Sequence, residues 1–177
     1  EKFHFGGTMY DRILYPTDGS SGSKAAAAHV KQLASAFDAT VHVLYVVDTT
    51  HPGGGMSGNP LAEEGSWFGG SGEESESGMV GDQSDGEKRR EALAERAEAV
   101  VEEAASAFEG VESVRAVEYG TPHSAILEYA DEHGVDLVVM GTHGRTGVER
   151  YLLGSVTEKV VRLADPPVVT VRADESE

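Results

Sequence analysis

The sequence contains no cysteine, which excludes disulfide bonds, catalytic thiolates and zinc sites built from cysteine. No run approaches the roughly 20 apolar residues that cross a bilayer, so a membrane-spanning helix is not expected. The first residues lack the basic start and the apolar core of a signal peptide. These absences together predict a cytoplasmic protein.

Basic residues are scarce: 14 Lys and Arg stand against 31 Asp and Glu, which gives a formal net charge of −17. A negative field repels the phosphates of nucleic acids and of anionic membranes, so neither is expected as a partner. The acids either form a docking surface for a protein or adapt the chain to high salt, where the screening length is about 3 Å at molar ionic strength. Their spread over helices and loops favours salt adaptation.

Short apolar runs alternate with segments of helical periodicity along a chain of 177 residues, the length of one domain. Strands are predicted at residues 10–15, 41–47, 114–119, 137–140 and 168–171. Helices are predicted at residues 20–37, from near 87 to 108, at 122–133 and at 155–163. The alternation predicts a single Rossmann-like α/β domain, a five-stranded parallel doubly wound sheet with helices on both faces.

The domain is expected to span residues 9–173, with a segment at each end outside it and one insertion within it. Residues 1–8 are interpreted as a tag or disordered start, with the native chain beginning at Met9, and residues 174–177 as a tail. Residues 49–86 hold half of all the glycines and no Lys or Arg. Because this segment has no apolar period, it is predicted to be a disordered acidic insertion and not a second domain.

In doubly wound sheets, ligands bind beyond the carboxyl ends of the strands, where the strand order reverses. In this sequence the rule indicates Asp18, residues 46–48 and the loop after Met140. These three places are far apart along the chain, but the predicted sheet brings them together.

The loop after Met140 carries a Gly-x2-Gly-x9-Gly-Ser pattern formed by Gly141, Gly144, Gly154 and Ser155. Glycine lets the main chain approach a phosphate closely because it has no Cβ. Ser155 opens a predicted helix, and a helix start offers free N–H groups and the positive end of the dipole. The pattern follows a buried strand and therefore predicts a phosphate site, although the glycines can also serve chain reversal alone.

Five segments, residues 15–20, 44–48, 120–123, 140–144 and 154–157, resemble the universal stress protein family. The resemblance covers residues 10–172 apart from the insertion. It implies a five-stranded parallel sheet and a homodimer. Because the glycine pattern of the ATP-binding branch is intact, it also implies bound ATP, with Mg²⁺ bridging the phosphates.

The resemblance further implies roles for single residues. Asp18 would contact the nucleoside, Val46 would present main-chain groups to adenine, and Gly141 would line the ribose. The phosphates would be held by the other residues of the pattern, Gly144, Gly154, Ser155, Val156 and Thr157. The alternatives stay open that Asp18 only caps the first helix, that Val46 is only a core residue, and that Ser155 and Thr157 only cap the last helix.

Two residues of the loop are not assigned by the pattern. Arg145 either reaches a phosphate or is a solvated loop charge. His143 is set aside as a catalytic base because a histidine in such a loop more often packs or caps. No catalytic residue is therefore predicted.

We expect an ATP-binding stress-response regulatory module with little or no hydrolysis, because the chain has no Gly-x4-Gly-Lys-Ser/Thr loop. Two alternatives stay open: a slow or partner-activated ATPase, and a nucleotide-independent dimeric interaction protein with an unidentified protein partner. Residues 168–172 are a candidate dimer edge, because an uncovered apolar strand is an aggregation hazard. The same residues can instead form an inner strand.

Overall fold

Strands and helices alternate through the part of the chain that the computed structural model describes, residues 9–50, 83–142 and 153–173. A short 3₁₀ turn, Ser106–Phe108, follows the second helix. The elements are β1 (Arg12–Pro16), α1 (Ser21–Phe37), β2 (Thr40–Asp48), α2 (Gln83–Ala105), β3 (Ser113–Gly120), α3 (Pro122–Glu132), β4 (Leu137–Gly141), α4 (Ser155–Leu163) and β5 (Val168–Val171).

The five strands form one sheet in the order β3-β2-β1-β4-β5, and every neighbouring pair is parallel. The chain moves outward from β1 to β3, then returns to the other side of β1 for β4 and β5. The strand order therefore reverses between β1 and β4. The predicted fold class, a five-stranded parallel doubly wound sheet, is confirmed.

Two apolar clusters cover the two faces of the sheet because side chains alternate along each strand. One cluster joins Ile13, Tyr15 and Val43 to helices α1 and α2. The other joins Leu14 and Leu44 to helices α3 and α4. Both faces of the central strands are buried, which explains their nearly continuous apolar sequence.

The starts of the helices differ in detail from the predictions. Helix α2 begins at Gln83 and not near residue 87. Thr121 lies at the N-cap of α3 and Pro122 in its first turn, but the Thr121 side chain makes no capping hydrogen bond. Ser20 does cap α1, since its Oγ accepts from the Ser23 N–H at 3.3 Å.

Strand β5 lies at one edge of the sheet, which excludes the alternative that it is an inner strand. Residues 1–8, 51–82 and 174–177, on which the predicted start, most of the insertion and the tail fall, lie outside the described residues. Within the described ranges, no helix has the length and apolarity needed to traverse a bilayer.

Candidate functional site

The carboxyl ends of β2, β1 and β4 lie side by side, and β2 extends farther than β1. The last pair between β1 and β2 is Pro16 with Leu44, and the Thr17 N–H donates to the Leu44 carbonyl at 2.8 Å. Val46 lies two residues later, so its N–H and C=O face the same side as those of Leu44. That side is the one from which β1 has departed, while the Val46 side chain is fully buried in the core.

Asp18 follows β1 and is buried, with 4% of its surface exposed. Its Oδ1 accepts from the Ser20 N–H at 2.9 Å, and Gly19 between them has a φ of 74°. Asp18 therefore forms the turn that leads into α1, while the cap of that helix is Ser20. An ionised carboxylate has about four acceptor positions, so this bond leaves capacity for a ligand.

Hydroxyl groups tie the first turn of α1 to the end of β1. The Tyr15 hydroxyl donates to the Ser23 carbonyl at 2.7 Å, and the Thr17 hydroxyl donates to Ser23 Oγ at 3.2 Å. Burial raises the pKa of the Tyr15 phenol, and the Asp18 carboxylate adds to the rise. Sequence reasoning missed Tyr15, Thr17 and Ser23. The spacing of Ser20 and Ser23 at a helix start was the available signal.

Gly141 ends β4 and lies buried against Gly22 in the first turn of α1. The close approach of these two main chains brings the start of α1 to the point where the strand order reverses. Gly141, Asp18 and the main chain of Val46 therefore lie together at the carboxyl ends of the strands, here called the carboxyl edge of the sheet.

Helix α4 begins at this edge without a side-chain cap. Gly154 is its N-cap, the Gly154 N–H donates to the Thr142 carbonyl at 2.8 Å, and the Glu158 N–H donates to the Gly154 carbonyl at 2.8 Å. The N–H groups of the intervening residues have no carbonyl partner in the helix, as in any first turn. Those residues are Ser155, Val156 and Thr157. The exposed Ser155 places this first turn in contact with solvent.

Thr157 is buried, with 4% exposed, and its Oγ1–H donates to the Gly141 carbonyl at 2.9 Å. The hydroxyl thus joins α4 to the end of β4 and does not cap its own helix. Gly144 and Arg145, the other predicted phosphate contacts, lie outside the described residues, as does His143.

A cavity of about 580 Å³ lies at the amino ends of the strands, opposite the carboxyl edge. Its walls include Tyr10, Asp131, Asp136 and Asp165, and α3 and α4 end beside it. Carboxylates and the negative ends of two helix dipoles disfavour a phosphate. The charge of its walls therefore favours the carboxyl edge as the site for an anionic ligand.

A histidine cluster, formed by His42, Tyr129 and His133, lies between β2 and α3. His42 Nδ1 and the Tyr129 hydroxyl are 2.9 Å apart, and His133 stacks on Tyr129 with ring centroids 3.8 Å apart. Burial, with His133 and Arg12 nearby, lowers the pKa of His42. Burial and Glu118 raise the pKa of Tyr129. Sequence reasoning did not single out this cluster, which contains none of the predicted nucleotide contacts.

Comparison with known proteins gives a family match over almost the whole domain. The model of the Universal stress protein family matches residues 9–172. Universal stress protein MJ0531 of Methanocaldococcus jannaschii is 36% identical over 97% of this chain and 88% of its own length. Universal stress protein MJ0577 of the same organism is 32% identical over 95% of this chain and 98% of its own length.

Solved structures show the same fold. The structure of MJ0577 superposes with a TM-score of 0.72 at 28% identity, covering 95% of this chain and 99% of that one. A universal stress protein in complex with cAMP has a TM-score of 0.58 at 21% identity, covering 93% and 98%. The universal stress protein of Archaeoglobus fulgidus in complex with dAMP has a TM-score of 0.51 at 19% identity, covering 92% and 98%.

Proposed function

Because the chain belongs to the universal stress protein family, we propose that it is a stress-response regulatory module that binds ATP and hydrolyses it little or not at all. The first turn of α4 carries the proposal. Its N–H groups lie at the carboxyl edge of the sheet, beside the strand reversal, and no side chain caps them. Such a turn attracts phosphate through its N–H groups and the positive end of the helix dipole.

The other end of the nucleotide would lie against β1 and β2. Asp18 has acceptor capacity for hydroxyl or amino groups of the nucleoside, and the open side of β2 at Val46 offers a main-chain donor and acceptor to adenine. Gly141 ends β4, the strand next to β1 on the side away from β2. The chain enters α4 after β4, so Gly141 lies between the adenosine contacts and the start of α4. The arrangement supports adenosine on β1 and β2 and phosphates on α4.

Mg²⁺ is part of the proposal because it neutralises the charge of adjacent phosphates. Among the described residues, no group of three His, Asp or Glu side chains is arranged to hold a metal ion. The ion would therefore take its ligands mainly from phosphate oxygens and water, as Mg²⁺ commonly does at phosphate sites.

Slow or absent hydrolysis is part of the proposal because the sequence lacks the loop that holds the γ-phosphate in fast ATPases. Fast transfer needs a positioned water, a base and positive charge at the leaving oxygens. The chain has no Gly-x4-Gly-Lys-Ser/Thr loop, and in the proposed arrangement Asp18 lies at the nucleoside end of the ligand and not beside the γ-phosphate. Phosphate release above a protein-free control, lost in Ser155→Asp, would instead establish the slow ATPase.

Calorimetric titration with Mg-ATP in high salt, after removal of bound nucleotide, tests the proposal. Ser155→Asp places a carboxylate in the exposed first turn of α4. There the negative charge stabilises the helix by about 0.3–1 kcal/mol through the helix dipole, but it repels phosphate. We expect wild type to bind near one ATP per chain and Ser155→Asp to bind at least about tenfold more weakly, a change of about 1.4 kcal/mol.

Ser155→Asn is the matched control, because asparagine has nearly the same shape as aspartate but carries no charge. It should keep ATP affinity within a few fold of wild type. Absence of saturable binding by wild type would refute the proposal. Since the relatives noted above were solved with cAMP and dAMP, the same titration with AMP, cAMP and adenosine identifies the preferred nucleotide.

We further propose that two copies of the chain pair through β5. This strand ends the sheet, and its Val169 side chain is 38% exposed. An exposed apolar edge strand favours pairing with an identical copy around a two-fold axis. The cytoplasmic location expected from the sequence stays a prediction.

A further inference from the structure

Two consecutive carbonyl groups at the end of β4 hold the start of α4. The Gly141 carbonyl accepts from the Thr157 hydroxyl at 2.9 Å, and the Thr142 carbonyl accepts from the Gly154 N–H at 2.8 Å. Thr142 is itself fixed to the sheet, because its N–H donates to the Val171 carbonyl of β5 at 2.8 Å. The first turn of α4 is therefore attached to the sheet by one main-chain bond and one side-chain bond.

The attachment through Thr157 does not occupy the N–H groups of its own helix. A capping hydroxyl accepts from the N–H groups of its own helix, as Ser20 does in α1. Thr157 does the opposite, because its hydroxyl donates outward to Gly141. The helix start is thus held in place by a bond that does not use its N–H donors, and among the described residues no side chain caps them.

The same bond limits what the Thr157 hydroxyl can do for a phosphate. A hydroxyl has a single proton to donate, and phosphate oxygens at neutral pH act as acceptors. While the Thr157 proton is donated to the Gly141 carbonyl, it is not available to a phosphate oxygen. The 4% exposure of the residue also separates the side chain from solvent.

We propose that Thr157 is a positioning residue: its hydroxyl fixes the first turn of α4 against β4 so that the main-chain N–H groups there meet the phosphates. The inference rests on the proposed ATP site and refines it. Ser155 and Val156 contact phosphate through the main chain, and Thr157 sets their position through Gly141.

The test compares Thr157→Val, which keeps the shape and removes the hydroxyl, with Thr157→Ser, which keeps the hydroxyl. Thr40→Val, at the start of β2 on the opposite edge, is the control for a Thr-to-Val change. Affinities for Mg-ATP and for adenosine are measured by calorimetry. Amide hydrogen exchange of residues 154–157 is measured in the nucleotide-free protein.

We expect Thr157→Val to weaken ATP binding about tenfold, the effect of losing one hydrogen bond of ordinary strength, and to change adenosine binding less than about twofold. Amide exchange in the first turn should be faster in Thr157→Val without nucleotide. Thr157→Ser and Thr40→Val should behave like wild type in both measurements. If Thr157→Val does not fold, Thr157→Ala takes its place.

Two results would overturn the positioning role. Weaker ATP binding with unchanged amide exchange would mean that the hydroxyl contacts phosphate directly. Equal losses for ATP and adenosine would mean that it only supports the fold. Failure of wild type to bind ATP would refute the proposed function instead, and in that case unchanged exchange in Thr157→Val would still refute the attachment separately.

Discussion

A Cβ atom built on Gly141 would lie 2.6 Å from the carbonyl carbon of Gly22 and 2.8 Å from its oxygen. The Ser23 nitrogen would be 3.0 Å away. All three neighbours are main-chain atoms of the first turn of α1, so they cannot move aside as the tip of a flexible side chain does. Gly141 is therefore required by the packing of α1 on β4, whether or not a ligand is bound.

Gly141→Ala should destabilise the protein, because the added methyl group must push α1 away from the end of β4. Overpacking of this kind costs about 1–3 kcal/mol. The free energy of unfolding, measured by urea denaturation without nucleotide, should fall by that amount.

Gly86→Ala is the matched control. Gly86 lies in α2, and a Cβ built there meets no atom within 4 Å. Replacing a helical glycine by alanine should raise the free energy of unfolding by about 0.5–1 kcal/mol. If Gly141→Ala were as stable as wild type, the proposed steric reason for this glycine would be wrong.

His42 should make the protein less stable in acid. Burial, with His133 and Arg12, lowers its pKa below the ordinary 6.5. The unfolded chain then binds the proton at a higher pH than the folded protein does. Stability is therefore full above about pH 6.5 and falls as the pH drops toward the folded pKa, below which the loss is complete.

Chemical denaturation between pH 7 and pH 5 measures this effect. In His42→Gln the decline of the free energy of unfolding with falling pH should be shallower than in wild type. His29→Gln should keep the wild-type decline, since His29 is exposed on α1. A decline of equal steepness in His42→Gln and wild type would rule out His42 as its source.

The histidine cluster shows what single-sequence reasoning misses. His42 occurs within an apolar strand, and its partners lie far along the chain, Tyr129 in α3 and His133 at the C-cap of that helix. Asp136 is a similar case: its Oδ2 accepts from the N–H groups of Asp11 and Arg12, both at 2.9 Å. Both sets of contacts join residues that are far apart in the sequence, so no short motif indicates them. They can be found only once the order of the strands is known.

The strands themselves were predictable, because apolar runs bounded by turn residues persist in any arrangement of a buried parallel sheet. The bounds of α4 and β5 agree with those predicted. Gly141 was predicted to contact the ligand because glycine has no Cβ. The structure adds a second reason for this glycine, since a Cβ there would collide with the main chain of Gly22. Sequence spacing indicated that the glycine matters without showing which neighbour requires it.

Val169→Lys should convert the proposed dimer into a monomer, because it places a charge on the exposed edge of β5. Sedimentation velocity at micromolar protein in high salt measures the change. Val114→Lys is the control, since Val114 is 41% exposed on β3, the strand at the other edge. It should leave the mass unchanged. Loss of the dimer in Val114→Lys but not in Val169→Lys would place the interface on β3.

Affinity for Mg-ATP should rise with salt. The net charge of −17 repels the phosphates, and the screening length shortens from about 10 Å at 0.1 M to about 3 Å at 1 M. Calorimetric titrations at fixed Mg²⁺ across this range should therefore show tighter ATP binding at higher salt. Adenosine is the control ligand because it carries no phosphate, and its affinity should change much less. ATP binding that weakens with salt, while adenosine binding stays constant, would mean that local cationic attraction outweighs the repulsion of the whole chain.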